Sequence, residues 1–538
     1  RRIIMTMPTA MPLAERQIYQ AQAETACELI YLCLGLAELD YAGRRPTLVP
    51  VPGHQLPTVI LKWDEATATQ AVYLYTEVAI NHSGDARAFF DAVRAPVNAR
   101  NPACRDSLRV ATIDIGGGTT DLVVTTIRVD GKGANVTLFP SQDFREGFTL
   151  AGDDITLRVV REHVVEPIRH ALVGCGCPPE RAEVLLTRLI GGNRGDMGVA
   201  EEVRRQQFAT QVAQPVALAL LGEYERIAAT DWPGAALRAD FTRVCADSAA
   251  TRQVVAFFNA EIRRAGIEGF DLAALTFATA PADIDRTVRS VATEMMQALA
   301  EVTWRLSADV LLLSGRPSRL PALRDILVES CALAPHRIVA LHQFRVGQWY
   351  PFRGLTATIG DPKTTASVGA MLCLLGEGQL HNFNFRSDDL RPRSSARCFG
   401  KLDMGNRLRR DDVYYDDLDL DSEDYALPDT PFEFRGPMAL GFRQLAADWW
   451  PGTRLYTIDY ASAEHARQLN GRTPLLVSLR RDVRRLRARK DEGQAVPFAV
   501  KAGARLGGQP GYTCVKCWER KGMKLGYMSG LSGSTTSG

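Results

Sequence analysis

The stretch Val110-Ala-Thr-Ile-Asp-Ile-Gly-Gly-Gly-Thr-Thr-Asp-Leu-Val-Val124 decides the fold of this chain. Two runs rich in β-branched residues flank three successive glycines, which predicts two strands joined by a tight turn. Because glycine has no side chain, the backbone N–H groups of such a turn can approach the oxygen atoms of a phosphate. The alternative is an ordinary glycine-rich turn, which the three consecutive glycines and the flanking acids disfavour. The stretch therefore predicts a phosphate-binding β-hairpin.

Each residue of this hairpin has a predicted role. Asp114 ends the first strand, and its carboxylate can hold a hydrated Mg²⁺, since Mg²⁺ prefers oxygen ligands and keeps several waters. Gly116, Gly117 and Gly118 form the turn that would grip phosphate. Thr119 can offer a hydroxyl group to a phosphate oxygen.

Length and composition limit the class of protein. A chain of 538 residues suggests about three or four domains, and a formal net charge of +2 predicts no strong attraction to nucleic acid or anionic membranes. We expect no transmembrane segment, because no apolar run reaches the roughly 18 residues needed to span a bilayer. No secretory signal is recognised, so the cytoplasm is the default, with secretion by a signal-less route left open.

The odd number of cysteines, 11, favours reduced thiols over a disulfide framework. Several of these cysteines lie in segments predicted to be core, namely Cys27, Cys33, Cys245, Cys331 and Cys373.

The hairpin resembles the second phosphate motif of the actin/Hsp70/sugar-kinase superfamily, whose members fold into two α/β lobes that close on ATP. The resemblance implies an α/β, ribonuclease H-like architecture and the cofactors ATP and Mg²⁺. Downstream, the segment from Val310 to Arg324 looks like the adenosine motif of that superfamily, with Ser314 and Gly315 against the nucleoside. An ordinary strand-turn-helix with proline at the helix start is the alternative.

Two further segments resemble the Hsp70 group. Glu65 falls where that group keeps a carboxylate near Mg²⁺ and the attacking water, which implies a role in positioning water. The equal alternative is that Glu65 is simply an acid at a helix N-terminus, where the helix dipole favours negative charge. The stretch from Phe148 to Ile155 resembles a Gly-Gly-Glu-Asp segment, which implies that Gly152 and Asp153 lie near the nucleotide. Capping of a helix by the aspartate is the structural alternative.

Several blocks also resemble the SrfB-type bacterial virulence factor family, over residues 1 to about 480. They are Thr6–Arg16, Asp64–Tyr75, the hairpin and Ser314–Pro321. Members of the SrfB-type family are longer than this chain. The first phosphate loop of the actin/Hsp70 superfamily would precede all of these segments, and no sequence before Ile3 resembles it. We favour an N-terminally incomplete chain over a degenerate one, since the sequence begins with Arg1. The family resemblance implies an association with virulence and no defined reaction.

Four regions are predicted. Residues 1–108 end the first lobe and contain a connecting helix, and residues 109–378 form the second lobe with a helical insertion. Residues 379–505 are a C-terminal β-containing extension, and residues 506–538 are a disordered tail rich in glycine and serine at its end.

The pattern predicts helices over residues 12–36, 65–80, 153–172, 321–333 and 364–375. It predicts strands over residues 3–7, 59–62, 309–313, 337–341, 454–460 and 474–479.

Three features near the C-terminus have competing interpretations. Cys514 and Cys517 are spaced as half of a zinc site or as a redox pair, but an unstructured tail is favoured. The basic run 480–490 is interpreted as a solvent-exposed helix face in preference to a nucleic-acid contact. The acidic run 411–424 pairs with it or forms a loop.

The sequence therefore predicts an ATP-dependent conformational switch that acts on a protein partner. The alternative is a non-hydrolysing actin-like scaffold within a virulence-associated complex. A small-molecule kinase fits the same fold, but no substrate residues are recognised for it.

Overall fold

The computed structural model shows a mixed α/β protein made of two compact units. The first unit comprises Arg1–Ile3, Met11–Val59 and Arg391–Gly538, and the second comprises Ile4–Ala10 and Ile60–Leu390. The structure describes residues 2–9, 13–41, 47–131, 136–148, 150–191, 198–387, 390, 396–418, 425–428, 430–445, 448, 450, 452–460, 467, 475–480, 499–503, 505–506, 509–510 and 523–527.

The α-helices are α1 (Leu13–Cys33), α2 (Glu65–Leu74), α3 (Ala86–Val93), α4 (Pro96–Ala99), α5 (Gly152–Val160), α6 (Glu166–Gly174), α7 (Pro179–Ile190), α8 (Val199–Phe208), α9 (Gln214–Arg226), α10 (Phe241–Val244), α11 (Ala249–Arg264), α12 (Pro281–Arg305), α13 (Pro321–Ser330) and α14 (Thr364–Leu375). Three π-helical segments continue α2, α5 and α8, namely Tyr75–Asn81, Arg161–Val165 and Ala209–Ala213.

The strands are β1 (Arg2–Ile4), β2 (Ala37–Asp40), β3 (Thr47–Pro50), β4 (Thr58–Ile60), β5 (Ser107–Ile115), β6 (Thr120–Asp130), β7 (Thr137–Phe148), β8 (Leu237–Asp240), β9 (Thr276–Thr279), β10 (Val310–Ser314), β11 (Ile338–Ala340), β12 (Asn384–Phe385), β13 (Cys398–Leu402), β14 (Leu408–Tyr415), β15 (Phe432–Phe434), β16 (Met438–Arg443), β17 (Thr453–Tyr460), β18 (Leu475–Arg480), β19 (Ala499–Gly503), β20 (Arg505–Leu506), β21 (Gln509–Pro510) and β22 (Met523–Tyr527).

The second unit is built on a six-stranded sheet in the order β11-β10-β5-β6-β7-β12. Strands β5, β6 and β7 form an antiparallel meander, while β10 runs parallel to β5 and β11 parallel to β10. Strand β10 is buried at every residue, and β5 and β6 are buried along most of their length, because side chains cover both faces of the sheet. The carboxyl ends of the parallel strands β5 and β10 therefore lie side by side.

Helices α2 and α14 pack together in the second unit. Gly369 of α14 lies directly on the backbone of Ala68 in α2, where a Cβ atom would come 1.7 Å from the Ala68 carbonyl oxygen. Beside this crossing, the buried hydroxyl groups of Thr69 and Thr365 share a hydrogen bond of 3.0 Å. Small residues thus allow the two backbones to touch.

The first unit contains a five-stranded sheet in the order β14-β13-β16-β17-β22 and a three-stranded sheet in the order β15-β18-β19. Hairpins β2–β3 and β20–β21 belong to it as well. A core of large side chains packs in this unit, including Phe399, Phe434 and Tyr456. A β-containing C-terminal region was predicted, but strand β14 overlaps the acidic run 411–424, which was interpreted as a charge partner of the basic run or as a loop.

Most predicted helices and strands are present. The predicted helix 12–36 is α1, the helix 364–375 is α14, and the helix 65–80 is α2 with its π-helical continuation. The helical insertion predicted within residues 109–378 also contains the unpredicted hairpin β8–β9. Strand β22 falls within the segment predicted as a tail and pairs with β17.

All described cysteines are free. Cys245, Cys331 and Cys373 are buried as predicted, and Cys27 is half-buried. The prediction is wrong for Cys33, which is exposed at the end of α1, a helix with mostly exposed residues. Within the described residues, no helix is both long and apolar enough to cross a membrane. Cys514, Cys517 and residues 481–490 and 419–424 lie outside the described residues.

Candidate functional site

The glycine turn closes a regular hairpin. Strands β5 and β6 pair from Ser107 and Arg128 up to Ile115 and Thr120, which sets Asp114 opposite Asp121. The Gly116 N–H donates to the Thr119 carbonyl oxygen at 2.8 Å and closes the turn. The sequence prediction of two strands on either side of the glycines is therefore confirmed at the level of secondary structure.

The start of α5 lies against this turn. The N–H groups of Gly152 and Asp153 donate to the carbonyl oxygens of Gly116 and Gly117, at 3.0 and 2.8 Å. In the described part of the chain, the N–H groups of Gly117 and Gly118 donate to no carbonyl in a turn or loop. The turn is exposed at these two glycines, so both donors remain available to a ligand.

Gly152→Ala is expected to lower the free energy of unfolding by about 1–2 kcal/mol. A Cβ atom there would come 2.6 Å from Cγ of Pro317 and 3.0 Å from the Gly116 carbonyl oxygen, so the turn or the proline must shift. Urea unfolding of the variant measures the loss. The control is Gly118→Ala, because nothing lies within 4 Å of a Cβ atom at Gly118. Equal unfolding curves for the two variants would contradict close packing at Gly152.

The end of β10 forms the second wall of the site. Ser314 pairs with Asp114 across the parallel strands. Gly315 follows with φ of 83°, and a Cβ atom there would come 2.0 Å from the Ile115 carbonyl oxygen. Only glycine fits this position without displacing β5, since both the backbone angle and the space require it. The strand-turn-helix predicted from Val310 to Arg324 is present here, and its role in binding a nucleoside stays a prediction.

The starts of α2 and α14 form the third wall. Asp64 caps α2 by accepting from the Thr67 N–H at 2.8 Å, and Glu65 is the first residue of the helix. Lys363 directly precedes α14. A cavity of about 250 Å³ lies between these walls, lined by Thr6, Glu65, Asp114, Gly116, Gly117, Ser314, Gly315, Arg316, Pro317, Pro362, Lys363, Thr365, Ala366 and Ser367.

The cavity brings together six of the ten residues predicted from the sequence. Four others do not line it: Gly118 and Thr119 are exposed on the turn, while Gly152 and Asp153 donate their backbone N–H groups to the turn from the start of α5. Sequence reasoning missed Thr6, Arg316 and Lys363 as cavity residues. Thr6 and Arg316 lie within segments quoted for their resemblance, and Lys363 directly precedes a predicted helix, but a single cation or hydroxyl residue carries no periodic signal of its own.

Carboxylates dominate the electrostatics of the cavity. Burial, reinforced by the nearby charges of Glu65 and Asp121, raises the pKa of Asp114 to about 7. Burial likewise raises the pKa of Asp121 to about 6 and that of Glu65 above its ordinary value. Lys363 opposes these shifts for Asp114 and Glu65. A cation in the cavity would stabilise the ionised forms.

The donor set fits a hydrated cation better than a fully protein-bound one. Among the described residues, no group of three or more His, Cys, Asp or Glu side chains is arranged to hold a metal ion. Mg²⁺ keeps several waters and commonly binds through one or two carboxylates together with substrate phosphates. Asp114 and Glu65 supply that number of carboxylates at the cavity.

Asp121 sits in a buried polar network behind the cavity. Its Oδ2 accepts from the Thr9 N–H at 3.1 Å, while its Oδ1 is buried without a hydrogen-bond partner in the described structure. Asp64 accepts from Gln142 Nε2 at 2.9 Å in the same network. These contacts fix the segment around Thr9 beside the hairpin.

Comparison with known proteins places the chain in a family. The model of a family described as "Virulence factor SrfB" matches residues 1–507, so the chain belongs to the SrfB family. No curated protein matches it.

Proposed function

We propose that this SrfB family member is an actin/Hsp70-like protein that binds ATP with Mg²⁺ and switches its affinity for a protein partner. The observation that carries the proposal is the meeting of the glycine turn, Asp114 and Gly315 in one cavity at the carboxyl ends of β5 and β10. In open α/β sheets, ligands bind in the crevice outside the carboxyl ends of the strands. The two free N–H groups of the turn support phosphate as the ligand.

Each wall of the cavity has a role in this proposal. The Gly117 N–H group at the cavity, together with the Gly118 N–H and Thr119 hydroxyl groups on the adjoining exposed turn, binds phosphate oxygens, and Lys363 offsets negative charge. Asp114 accepts hydrogen bonds from metal-bound water, while Gly315 allows close approach of the nucleoside. Bound Mg²⁺ would neutralise phosphate charge and polarise the phosphoryl group. Hydrolysis would then change which conformation the protein favours.

The proposal is tested by calorimetric titration of the chain with Mg-ATP. We expect Asp114→Asn to weaken binding at least about tenfold, because it removes a charged acceptor for the metal's waters. Asp130→Asn is the matched control, since Asp130 is exposed at the opposite end of the same hairpin. If the unsubstituted chain shows no binding, or if both variants bind alike, the nucleotide proposal fails.

Glu65→Gln separates binding from hydrolysis. We expect the variant to bind Mg-ATP but to hydrolyse it about 100-fold more slowly, because the amide cannot accept a proton from the attacking water. The measurement is phosphate release under saturating Mg-ATP. Glu268→Gln, at an exposed position outside the cavity, should leave the rate unchanged. A full rate in Glu65→Gln would remove Glu65 from the proposed mechanism.

A non-hydrolysing scaffold is the second candidate, and the size of the cavity favours it. The volume of about 250 Å³ is below the roughly 300–1,000 Å³ of typical small-molecule sites. In this case the close packing of the hairpin, α5 and β10 serves assembly within a virulence-associated complex. The same titration decides between the candidates, since a scaffold shows no heat of Mg-ATP binding.

A further inference from the structure

We propose that Arg316, Arg319, Arg324 and His342 form an anion-binding site that takes a phosphate group. Arg316 and Arg319 lie on the turn after β10, and Arg324 lies on α13. His342 lies on the turn that follows β11. The four side chains therefore come from three neighbouring elements of the second unit.

The first argument is charge. Glu225 of α9 is the carboxylate that pairs with two of the guanidinium groups, at 3.2 Å from Arg316 Nη1 and 3.2 Å from Arg319 Nε. Asp325 follows Arg324 in the sequence, but its carboxylate is shared with a further cation, since it lies 4.0 Å from Arg289. The cluster thus holds more cations than nearby carboxylates, and unpaired cations are costly when partly removed from water.

The second argument is unsatisfied hydrogen bonding. Arg319 Nε, Arg324 Nε and His342 Nδ1 are all buried without a hydrogen-bond partner in the described structure. The Arg319 Nε atom lies near Glu225, but in a direction that makes no hydrogen bond. Buried polar atoms in folded proteins nearly always find partners, so three in one cluster indicate a ligand with several acceptor oxygens.

The third argument is the protonation state of the His342 imidazole. Burial and the positive charges of Arg319, Arg324 and Arg316 lower the pKa of His342 to about 4. The ring is therefore neutral at pH 7, and one of its nitrogens can donate a hydrogen bond. Neutral imidazole and guanidinium N–H groups together suit a phosphate, whose oxygens accept from several directions.

Access to the cluster is from solvent. The side chains of Arg316 and Arg319 are 50% and 31% exposed, respectively. Arg316 also lines the cavity described above. The phosphate group can therefore belong either to a free anion or to a nucleotide held in that cavity.

The test is titration of the chain with inorganic phosphate, without nucleotide or Mg²⁺, so that it does not depend on the proposed ATP binding. We expect millimolar phosphate to bind and to raise the pKa of His342, measured from its imidazole NMR signals, because the anion offsets the surrounding positive charge. Phosphate binding should weaken about tenfold in Arg324→Gln. It should be largely retained in Arg324→Lys and unchanged in the exposed control Arg286→Gln.

Competition identifies the source of the phosphate. If Mg-ATP displaces inorganic phosphate and Arg324→Gln weakens both, the site takes a phosphate group of the nucleotide. Simultaneous binding of both assigns the site to a free anion. An unchanged pKa of His342 in the unsubstituted chain at millimolar phosphate would overturn the proposal, and so would equal phosphate affinity in Arg324→Gln and Arg286→Gln.

Discussion

Gly369→Ala is expected to lower the free energy of unfolding of the second unit by about 3 kcal/mol, at the upper end of the usual cost of overpacking. The added Cβ atom would come 1.7 Å from the carbonyl oxygen of Ala68 and 2.3 Å from its carbonyl carbon. Both atoms belong to the backbone of a helix, so no side chain can turn away to make room. Helices α2 and α14 would have to separate, and the buried bond between Thr69 and Thr365 would break with them.

Thermal and urea unfolding followed by circular dichroism measure this loss. The matched control is Gly222→Ala, because Gly222 also lies within a helix but a Cβ atom there would meet only the flexible end of Arg226 at 3.7 Å. That substitution is expected to stabilise the protein by about 0.5–1 kcal/mol, since alanine favours helices over glycine. If Gly369→Ala unfolded like Gly222→Ala, the close contact between α2 and α14 would be wrong.

The same helix pair shows what the sequence can predict. The stretch 364–375 is rich in small and apolar residues, and the structure has a helix with those limits. The pattern does not reveal which helix it touches, because contact between α2 and α14 joins residues far apart in the chain. The identity of Ala68 as the neighbour of Gly369 therefore required the structure.

The candidate site was predictable where backbone conformation determines the residue type. Three glycines between two β-branched runs, and Gly315 at the end of a buried strand, are local patterns. Thr6, Arg316 and Lys363 became visible only through tertiary contacts around the cavity. The functional roles of Glu65, Asp114 and Thr119 remain predictions until ligand binding is measured.

The sheet of the first unit was less predictable for a physical reason. Strand β14 reads Leu-Arg-Arg-Asp-Asp-Val-Tyr-Tyr, and its residues Arg409, Arg410 and Asp411 are all exposed. It lies at the edge of its sheet, and its register with β13 shifts at two points, so that burial does not alternate regularly along the strand. Without that alternation, a charged strand looks like a polar loop.

Asp114→Asn is expected to stabilise the ligand-free protein at pH 8 and to have little effect near pH 4. In the folded protein the pKa of Asp114 is raised from 3.8 to about 7. A carboxyl group with a raised folded pKa contributes its stability below the unfolded pKa and loses it as the pH rises through the folded value. At pH 8 the unsubstituted protein must therefore keep a charged carboxylate in a poorly solvated place. The amide avoids this cost.

Each pKa unit between the folded and the unfolded value corresponds to about 1.4 kcal/mol. Because Asp114 is partly exposed, solvent reduces the effect of the full shift, and we expect a gain of about 2 kcal/mol at pH 8. Unfolding curves from pH 4 to pH 8 measure it, with Asp130→Asn as the exposed control. Because a bound cation favours the ionised carboxylate, saturating Mg-ATP should reduce this gain at pH 8 by at least about 1.4 kcal/mol, the equivalent of the tenfold weaker binding expected for Asp114→Asn. A gain that is independent of pH would contradict the raised pKa, whereas a gain at pH 8 that Mg-ATP leaves unchanged would separate Asp114 from the nucleotide.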